Sequence, residues 1–336
     1  MGYAKKSKEI KAQLKKNRHI LHFAVALAIL LLVVVSAFVP YSTWKYYFAL
    51  PKVGERKEGE LRLHFIDVGQ GDSTFIEFPD GRTMLIDGGD GSETTAKAVL
   101  RYLNALDVEC IDYVLLTHAD SDHCGSLDTV LEYKEVGKVF LPLLAEGTEN
   151  DEYESFFAAV MKEGCAYEYA DRNKTLDVGA DCGYTFAFLY PYAAMTEGAV
   201  QTPTEENETS VVVWLDYMGA SALLTGDAPA TVEETLIADD ELQALARYGV
   251  DLTSTEILKV AHHGSEDSTS DEFLAYLGAD TAIVSCGVDN PYSHPSERVT
   301  QSLVRAGAAT YRTDTHGSVI VTVDKTGARS VKTLGK

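Results

Sequence analysis

The longest run of apolar positions, Ile20 to Val39 (ILHFAVALAILLLVVVSAFV), contains no Asp, Glu, Lys or Arg. As a helix rising about 1.5 Å per residue it spans roughly the 30 Å hydrocarbon core of a bilayer, which predicts one transmembrane helix. A polar stretch, Pro51 to Glu60 (PKVGERKEGE), follows, and from Leu61 the pattern changes to short β-rich runs alternating with helical ones. LRLHFIDV (61–68), DSTFIEF (72–78) and TMLID (83–87) read as three consecutive strands, the last two separated by a Pro-Asp-Gly turn at 79–81. SETTAKAVLRYLNAL (92–106) opens with a Ser cap and keeps apolar residues at helical spacing, and IDYVLLT (111–117) reads as a buried strand. The second half repeats the style with TSVVVWLDY (209–217), SALLTGD (221–227), a helix from about Pro229 and TEILKVAHH (255–263). Two halves, each strand-rich first and helical later, predict an α/β fold of two sheets packed face to face with helices outside. That is a four-layer α/β/β/α sandwich rather than one doubly wound sheet. The segments 143–153 and 191–208 are the long loops.

The chain is thus divided into a basic tail at 1–19, an anchor at 20–39, a linker at 40–60 and one domain at 61–336. The tail holds Lys5, Lys6, Lys8, Lys11, Lys15, Lys16 and Arg18 against the single acid Glu9, and Tyr41, Trp44, Tyr46, Tyr47 and Phe48 follow the apolar run. By the positive-inside rule and the interfacial preference of aromatics, the N-terminus is expected in the cytoplasm and the domain outside the cell membrane. A cleaved signal peptide is the competing reading; the apolar run is longer than its usual core, and no A-x-A site follows.

Composition narrows the class. Hydrophobic residues make up 46% and charged residues 24%, which excludes a disordered chain and a multi-span membrane protein. The net charge of −22, from 29 Lys+Arg against 51 Asp+Glu, repels polyanions, so any nucleic-acid contact has to be local or metal-assisted. Five cysteines are too few and too scattered for a disulfide scaffold; Cys165 and Cys182 are the pair a hairpin would bring together.

The candidate chemistry follows the strand IDYVLLT: His118-Ala-Asp120-Ser-Asp122-His123 places four ligand-capable groups within six residues. Two imidazoles and two carboxylates at a strand end converge readily on divalent cations, and carboxylate-rich sets suit Mn²⁺ or Mg²⁺ better than an all-His set does. Asp227 ends LLTGD, and His262-His263-Gly264 ends the strand TEILKVAHH. Adjacent residues leaving a strand point to opposite sides, so only one of the two imidazoles is expected to bind a given ion. Asp227 has a rival reading as a helix cap. No GxSxG elbow is present, and Cys124 reads as a small packed residue.

HADSDH resembles the HxHxDH signature of the metallo-β-lactamase superfamily with its second His replaced by Asp. Together with FIDVGQGDS (65–73) and LKVAHHGS (258–265), it is similar to the extracellular hydrolase domain of ComEC-type DNA-uptake competence proteins, over about residues 61–323. The resemblance implies His118 and Asp120 as ligands of one metal, Asp122 and a downstream His as ligands of a second with His123 beside Asp122, and Asp227 as the bridge. His262 is favoured over His263 for that downstream ligand, with His263 lining the pocket. Asn207 stands where the superfamily usually has a third His for the first metal, which puts that metal's occupancy in question. Asp87 matches the aspartate that orients the metal loop, and Asp67 and Asp72 lie at neighbouring strand ends near the mouth. Lys259 and Ser265 are expected to meet an anionic group, with Lys259 snorkelling to solvent from its strand end as the rival reading. Ser285, Asn290, Tyr292 and His294 match the substrate-side loop, while His316 reads as an exposed turn.

The implied activity is a membrane-anchored, extracellular, metal-dependent hydrolase of phosphodiesters, with DNA as substrate. One or two divalent ions, Mn or Zn with Mg as a third choice, would generate the hydroxide nucleophile. Asp122 or Asp227 orients it, and Lys259, His263 or His294 stabilises the leaving oxygen. Two alternatives stand beside this: a metallo-hydrolase of a cell-wall phosphodiester, lactone or β-lactam, and a surface binding module with a metal-poor site. ComEC proteins also carry a multi-span channel that this sequence lacks, so translocation would need a channel partner that the residues do not identify.

Overall fold

The alternation in LRLHF decides how the domain is built. In this computed structural model, which describes residues 17–31, 33–34, 45–174, 176, 182–196, 198 and 202–335, the five residues form strand β1 (Leu61–Phe65). Leu61, Leu63 and Phe65 enter the core between two sheets. His64, pointing the other way, reaches Tyr102 Oη (3.0 Å) on helix α1 (Glu93–Ala105). One face of the strand therefore packs on a sheet and the other on a helix, as the period of two requires.

β1, β2 (Thr74–Glu77) and β3 (Thr83–Ile86), the three consecutive strands, pair as an antiparallel meander. β4 (Cys110–Leu115), β5 (Glu135–Leu141) and β6 (Ala166–Tyr169) extend the sheet in parallel. β13 (Val319–Val323) and β14 (Arg329–Thr333) complete it on the other side, giving the order β14-β13-β1-β2-β3-β4-β5-β6. The second sheet runs β12-β11-β10-β9-β8-β7, from Ala309–Arg312, Thr281–Val284, Ile257–Lys259, Ala220–Leu224, Val212–Tyr217 and Tyr184–Tyr190. Its inner face gives Phe188, Val213, Leu224 and Ile283 to the core shared with the first sheet. Its outer face packs Trp214, Leu223 and Leu258 against Leu236, Phe273 and Leu303. The last three belong to the helices Ala230–Glu241, Asp271–Leu277 and Glu297–Ala306. The result is a mixed α/β fold with two facing sheets and helices on both outer surfaces.

Several strands stop earlier than their apolar runs. β1 ends at Phe65 because the chain turns through Gly69 and Gly71, and a Cβ on Gly71 would lie 2.3 Å from the Asp122 carbonyl oxygen. β4 ends at Leu115 because the Thr117 amide donates to the Asp87 carboxylate (2.8 Å) instead of to a strand. β10 covers only Ile257–Lys259 because His262 and His263 adopt left-handed φ of 48° and 52°. Each early stop falls where the chain leaves the sheet to build the same end of the sandwich.

The chain divides into two units, Met1–Ala49 and Leu50–Lys336. In the first, residues 17–31 and 33–34 are helical. Among the described residues no helix is long and apolar enough to cross a membrane; positions 32 and 35–39 of the expected anchor, and most of the basic tail, lie outside the described residues. All five cysteines are free thiols, so Cys165 and Cys182 are not paired.

Candidate metal centre

The loop after β4 carries HADSDH into a single helical turn, Ser121–Cys124. Asp120 occupies the N-cap position of this turn, but its side chain makes no cap hydrogen bond. Its carboxylate instead lies 3.4 Å from His118 Nε2. His118 and His123 are fully buried with ring centroids 4.1 Å apart.

Asp227 sits at the centre. It follows β9, and the helix Ala230–Glu241 is capped at Pro229, not at Asp227, so the capping reading does not hold. Its Oδ1 lies 3.2 Å from His123 Nε2, and its Oδ2 lies 3.5 Å from His263 Nε2, 3.8 Å from His262 Nε2 and 3.9 Å from His118 Nε2. The expectation that His262 and His263 diverge is overturned. Their left-handed backbone breaks the strand alternation on which it rested, and both rings face Asp227. They are not equivalent: His263 is 1% exposed and lies 3.2 Å from Asp122 Oδ2, whereas His262 packs beside Asn207, whose Nδ2 is 3.4 Å from its Nδ1.

Hydrogen bonds on the far side of each ring assign the tautomers. The His123 Nδ1–H donates to Asp87 Oδ2 (2.9 Å), and the His263 Nδ1–H donates to the Ser285 carbonyl (3.0 Å). The Thr117 hydroxyl donates to Asp87 Oδ2 (2.8 Å), which leaves its oxygen to accept from His118 Nδ1–H (3.1 Å). All three Nε2 atoms therefore point inward, the arrangement that metal-binding imidazoles need. Sequence pattern alone does not single out Thr117. The signal it carries is a hydroxyl immediately before the first His, able to hold both that ring and the aspartate beneath it.

The inward atoms are the decisive feature. Asp72 Oδ1, His118 Nε2, His123 Nε2, Asp227 Oδ1 and His263 Nε2 are all buried and hydrogen-bond to nothing. Three ligand atoms fall within 4.8 Å of one another in each of the sets His118–His123–Asp227, Asp122–His123–His263 and Asp72–Asp227–His263. An unsatisfied buried polar atom costs about 1–3 kcal/mol, so five around one space make a poor arrangement unless a cation fills it. The donor set of imidazoles and carboxylates fits a divalent ion.

The electrostatics are those of imidazoles that keep a proton until a cation displaces it: facing Asp227, His123 and His263 are both raised, against burial. Burial alone would raise the Asp227 carboxyl, but the facing His123 and His263 hold it well below the usual range. Asp122 is likewise held down, against burial, by the facing His263 and by His123. Burial lowers His262 and His294. These carboxylates are ionised and ready to receive positive charge.

The remaining predicted residues divide into neighbours of this space and supports of its loops. Lys259 does not reach out to solvent; it is 2% exposed, and its ammonium pairs with Asp72 Oδ2 (2.6 Å) and donates to the Val260 carbonyl (2.9 Å). Ser265 Oγ accepts from the Asp267 amide, and Asp67 Oδ1 from the Gly69 amide, so both shape turns. Asn290 clasps its loop, donating to the Gly287 and His294 carbonyls and accepting from the His294 amide. His294 stacks between Tyr292 and His263. His316 Nδ1 accepts from the Arg312 amide at the loop it closes (3.1 Å). Cys124 packs under the Ala119 carbonyl, and burial pushes its thiol up to about 12, where it is no nucleophile.

Comparison with known proteins places this geometry. A family model described as the metallo-beta-lactamase superfamily matches residues 66–288. ComE operon protein 3 of Bacillus subtilis is 32% identical over 278 residues, 78% of this chain and 33% of that protein. Recombination protein 2 of Haemophilus influenzae is 31% identical over 258 residues, 76% of this chain and 28% of that protein. Competence protein ComA of Neisseria gonorrhoeae is 30% identical over 277 residues, 81% of this chain and 34% of that protein. The chain spans about a third of the length of these relatives, and the resemblance to ComEC-type competence proteins read from the motifs holds across the domain. By its matched residues and its two-sheet fold, the chain belongs to the metallo-beta-lactamase superfamily.

Proposed function

We propose that this protein is a metal-dependent phosphodiesterase that cleaves DNA, held at the outer face of the cell membrane by its N-terminal apolar run. The observation that carries the reading is the convergence of five buried heteroatoms that make no hydrogen bond, Asp227 Oδ1 among them. His118, Asp120 and Asp227 would hold one cation, and Asp122, His123, His263 and Asp227 a second, with Mn²⁺ or Zn²⁺ suiting the mixed donors. Bound there, such ions supply an acidified water and a clamp on the phosphoryl oxygens. The names of the relatives, which include a competence protein and a recombination protein, support DNA as the substrate.

The chain's own residues do the rest. Asp122 and Asp227, ionised and fixed, orient the attacking water. The Asp87–Thr117 pair keeps His118 and His123 from rotating. His294, neutral and with a buried Nδ1 that has no hydrogen-bond partner, is the group placed to meet the leaving oxygen. Lys259 neutralises Asp72 behind the site and contributes through that pair.

A second reading, a cell-wall phosphodiester or another small ester as substrate, is favoured by the net charge of −22, which opposes a polyanion. Incubating the purified full chain with labelled single- and double-stranded DNA and Mn²⁺, Zn²⁺, Mg²⁺ or EDTA, beside Asp122→Ala, separates the two. Metal-dependent cleavage lost in the variant is the expected result; bound metal without cleavage rejects DNA as the substrate.

A further inference from the structure

The loop 286–295 is built to hold an aromatic ring in solvent. Asn290 ties both its ends through three hydrogen bonds, and Asp289 and Ser293 take left-handed φ of 50° and 60° to close it. At its tip Tyr292 is 64% exposed and Val288 61% exposed, a large apolar area to leave in water on a rigid loop. Tyr292 stacks on His294, with centroids 5.7 Å apart and planes 27° from parallel. His294 stacks in turn on His263 (6.2 Å, 26°), whose Nε2 faces Asp122 and Asp227. A row of three near-parallel rings therefore runs from the metal centre to the surface, and its last ring is exposed.

We infer that Tyr292 is a stacking platform for the base beside the scissile phosphate, so that the substrate is a single-stranded nucleic acid. This rests on the phosphodiesterase reading above. The charge of the chain explains why such a platform is needed. Lys259 is occupied by Asp72, and Arg298 by the carbonyls of Ser265, Glu266, Ser268 and Thr269. Those two cations therefore offer a phosphate backbone little, and the net charge repels it. Stacking on an aromatic ring is indifferent to that charge and to base identity. In a duplex, both faces of each base are already covered, so the platform favours unpaired strands.

The test uses the metal-loaded full chain and single-stranded oligonucleotides, with either normal bases or abasic sites flanking the cleaved position. For the wild type, removing the bases should raise KM roughly tenfold with kcat little changed, the scale of one base–aromatic stack. Tyr292→Leu should raise KM on the normal strand by a similar factor, Tyr292→Phe should not, and abasic sites should add no further penalty in the Leu variant. The inference is overturned, with the nuclease reading intact, if wild type treats both strands alike or if the Leu penalty persists undiminished on the abasic strand. If wild type cleaves no oligonucleotide while retaining its metal, the nuclease reading itself fails and takes this inference with it.

Discussion

Asp227 Oδ1 lies 3.2 Å from His123 Nε2, and although both atoms are buried, neither makes a hydrogen bond. The ring's other nitrogen faces Asp87 Oδ2 (2.9 Å), so His123 is held between two carboxylates, which raise it well above its ordinary 6.5 against burial. A cation entering here takes the place of the ring's inward proton between the same two atoms, which makes this contact the most direct sign of a metal site.

Metal binding should therefore stabilise the fold strongly. At a hundredfold excess over Kd the linkage is about 2.7 kcal/mol, which raises Tm by roughly 5–10 °C in a domain of this size. Thermal denaturation of the full chain with EDTA and then with Mn²⁺ or Zn²⁺ reads it. Asp227→Asn should lose the shift; an equal shift in that variant would place the ion elsewhere.

Thr117 holds the first imidazole from behind. Its oxygen accepts from His118 Nδ1–H while its proton goes to Asp87. Thr117→Val keeps the shape and removes both bonds, which should weaken metal affinity about 10–100-fold, the usual cost of losing such a support. Thr117→Ser should restore it. Calorimetric titration with Mn²⁺ checks both, and an unchanged Kd in the Val variant would show that the tautomer is held by something else.

The strand-end motifs are legible in the sequence because a solvated loop has no need of two imidazoles and two carboxylates within six residues, whereas a cation does. The meander and the Ser92 cap likewise follow from period and capping chemistry. Three features are not legible. Lys259 finds Asp72 only through the fold, so the burial of a lysine at a strand end leaves no mark on its neighbours in sequence. The strands end early because backbone groups near the site bond to side chains, a preference that apolar runs do not record. Strand alternation misplaces His262 and His263 because the segment that carries them is no longer strand.

A second buried cluster predicts the acid behaviour of the fold. Under α1, Glu77 bonds to His64 (2.8 Å) and pairs with Arg62 (3.1 Å). Burial pushes the Glu77 carboxyl up, yet the His64 bond and the Arg62 charge leave it below its ordinary 4.5, while burial pushes His64 below 6.5. Both groups bind protons less readily folded than unfolded. Their contribution is complete above the unfolded values and is lost as pH falls through the window down to the folded ones. Glu77→Gln should cost about 2–4 kcal/mol near neutral pH, because it leaves a buried cation unpaired. Urea unfolding across pH should show the gap narrowing as acid protonates the wild-type carboxyl; a gap that is constant into acid would reject this account.

The two adjacent histidines give the sharpest test of the metal centre. Both rings face Asp227, but only His263 combines full burial, an Nδ1–H fixed on a carbonyl and an Nε2 against Asp122. His262 is partly exposed and touches Asn207, which stands where a third imidazole would complete the first site. His263→Ala should therefore weaken one of two metal equivalents by more than about 100-fold, beyond the loss expected from a merely supporting residue. His262→Ala should retain both equivalents with less than about a tenfold change in affinity. Metal analysis after equilibrium dialysis distinguishes the two. If the variants instead exchange behaviours, the second cation is held from the His262 side, whose Nε2 already lies 3.8 Å from Asp227 Oδ2.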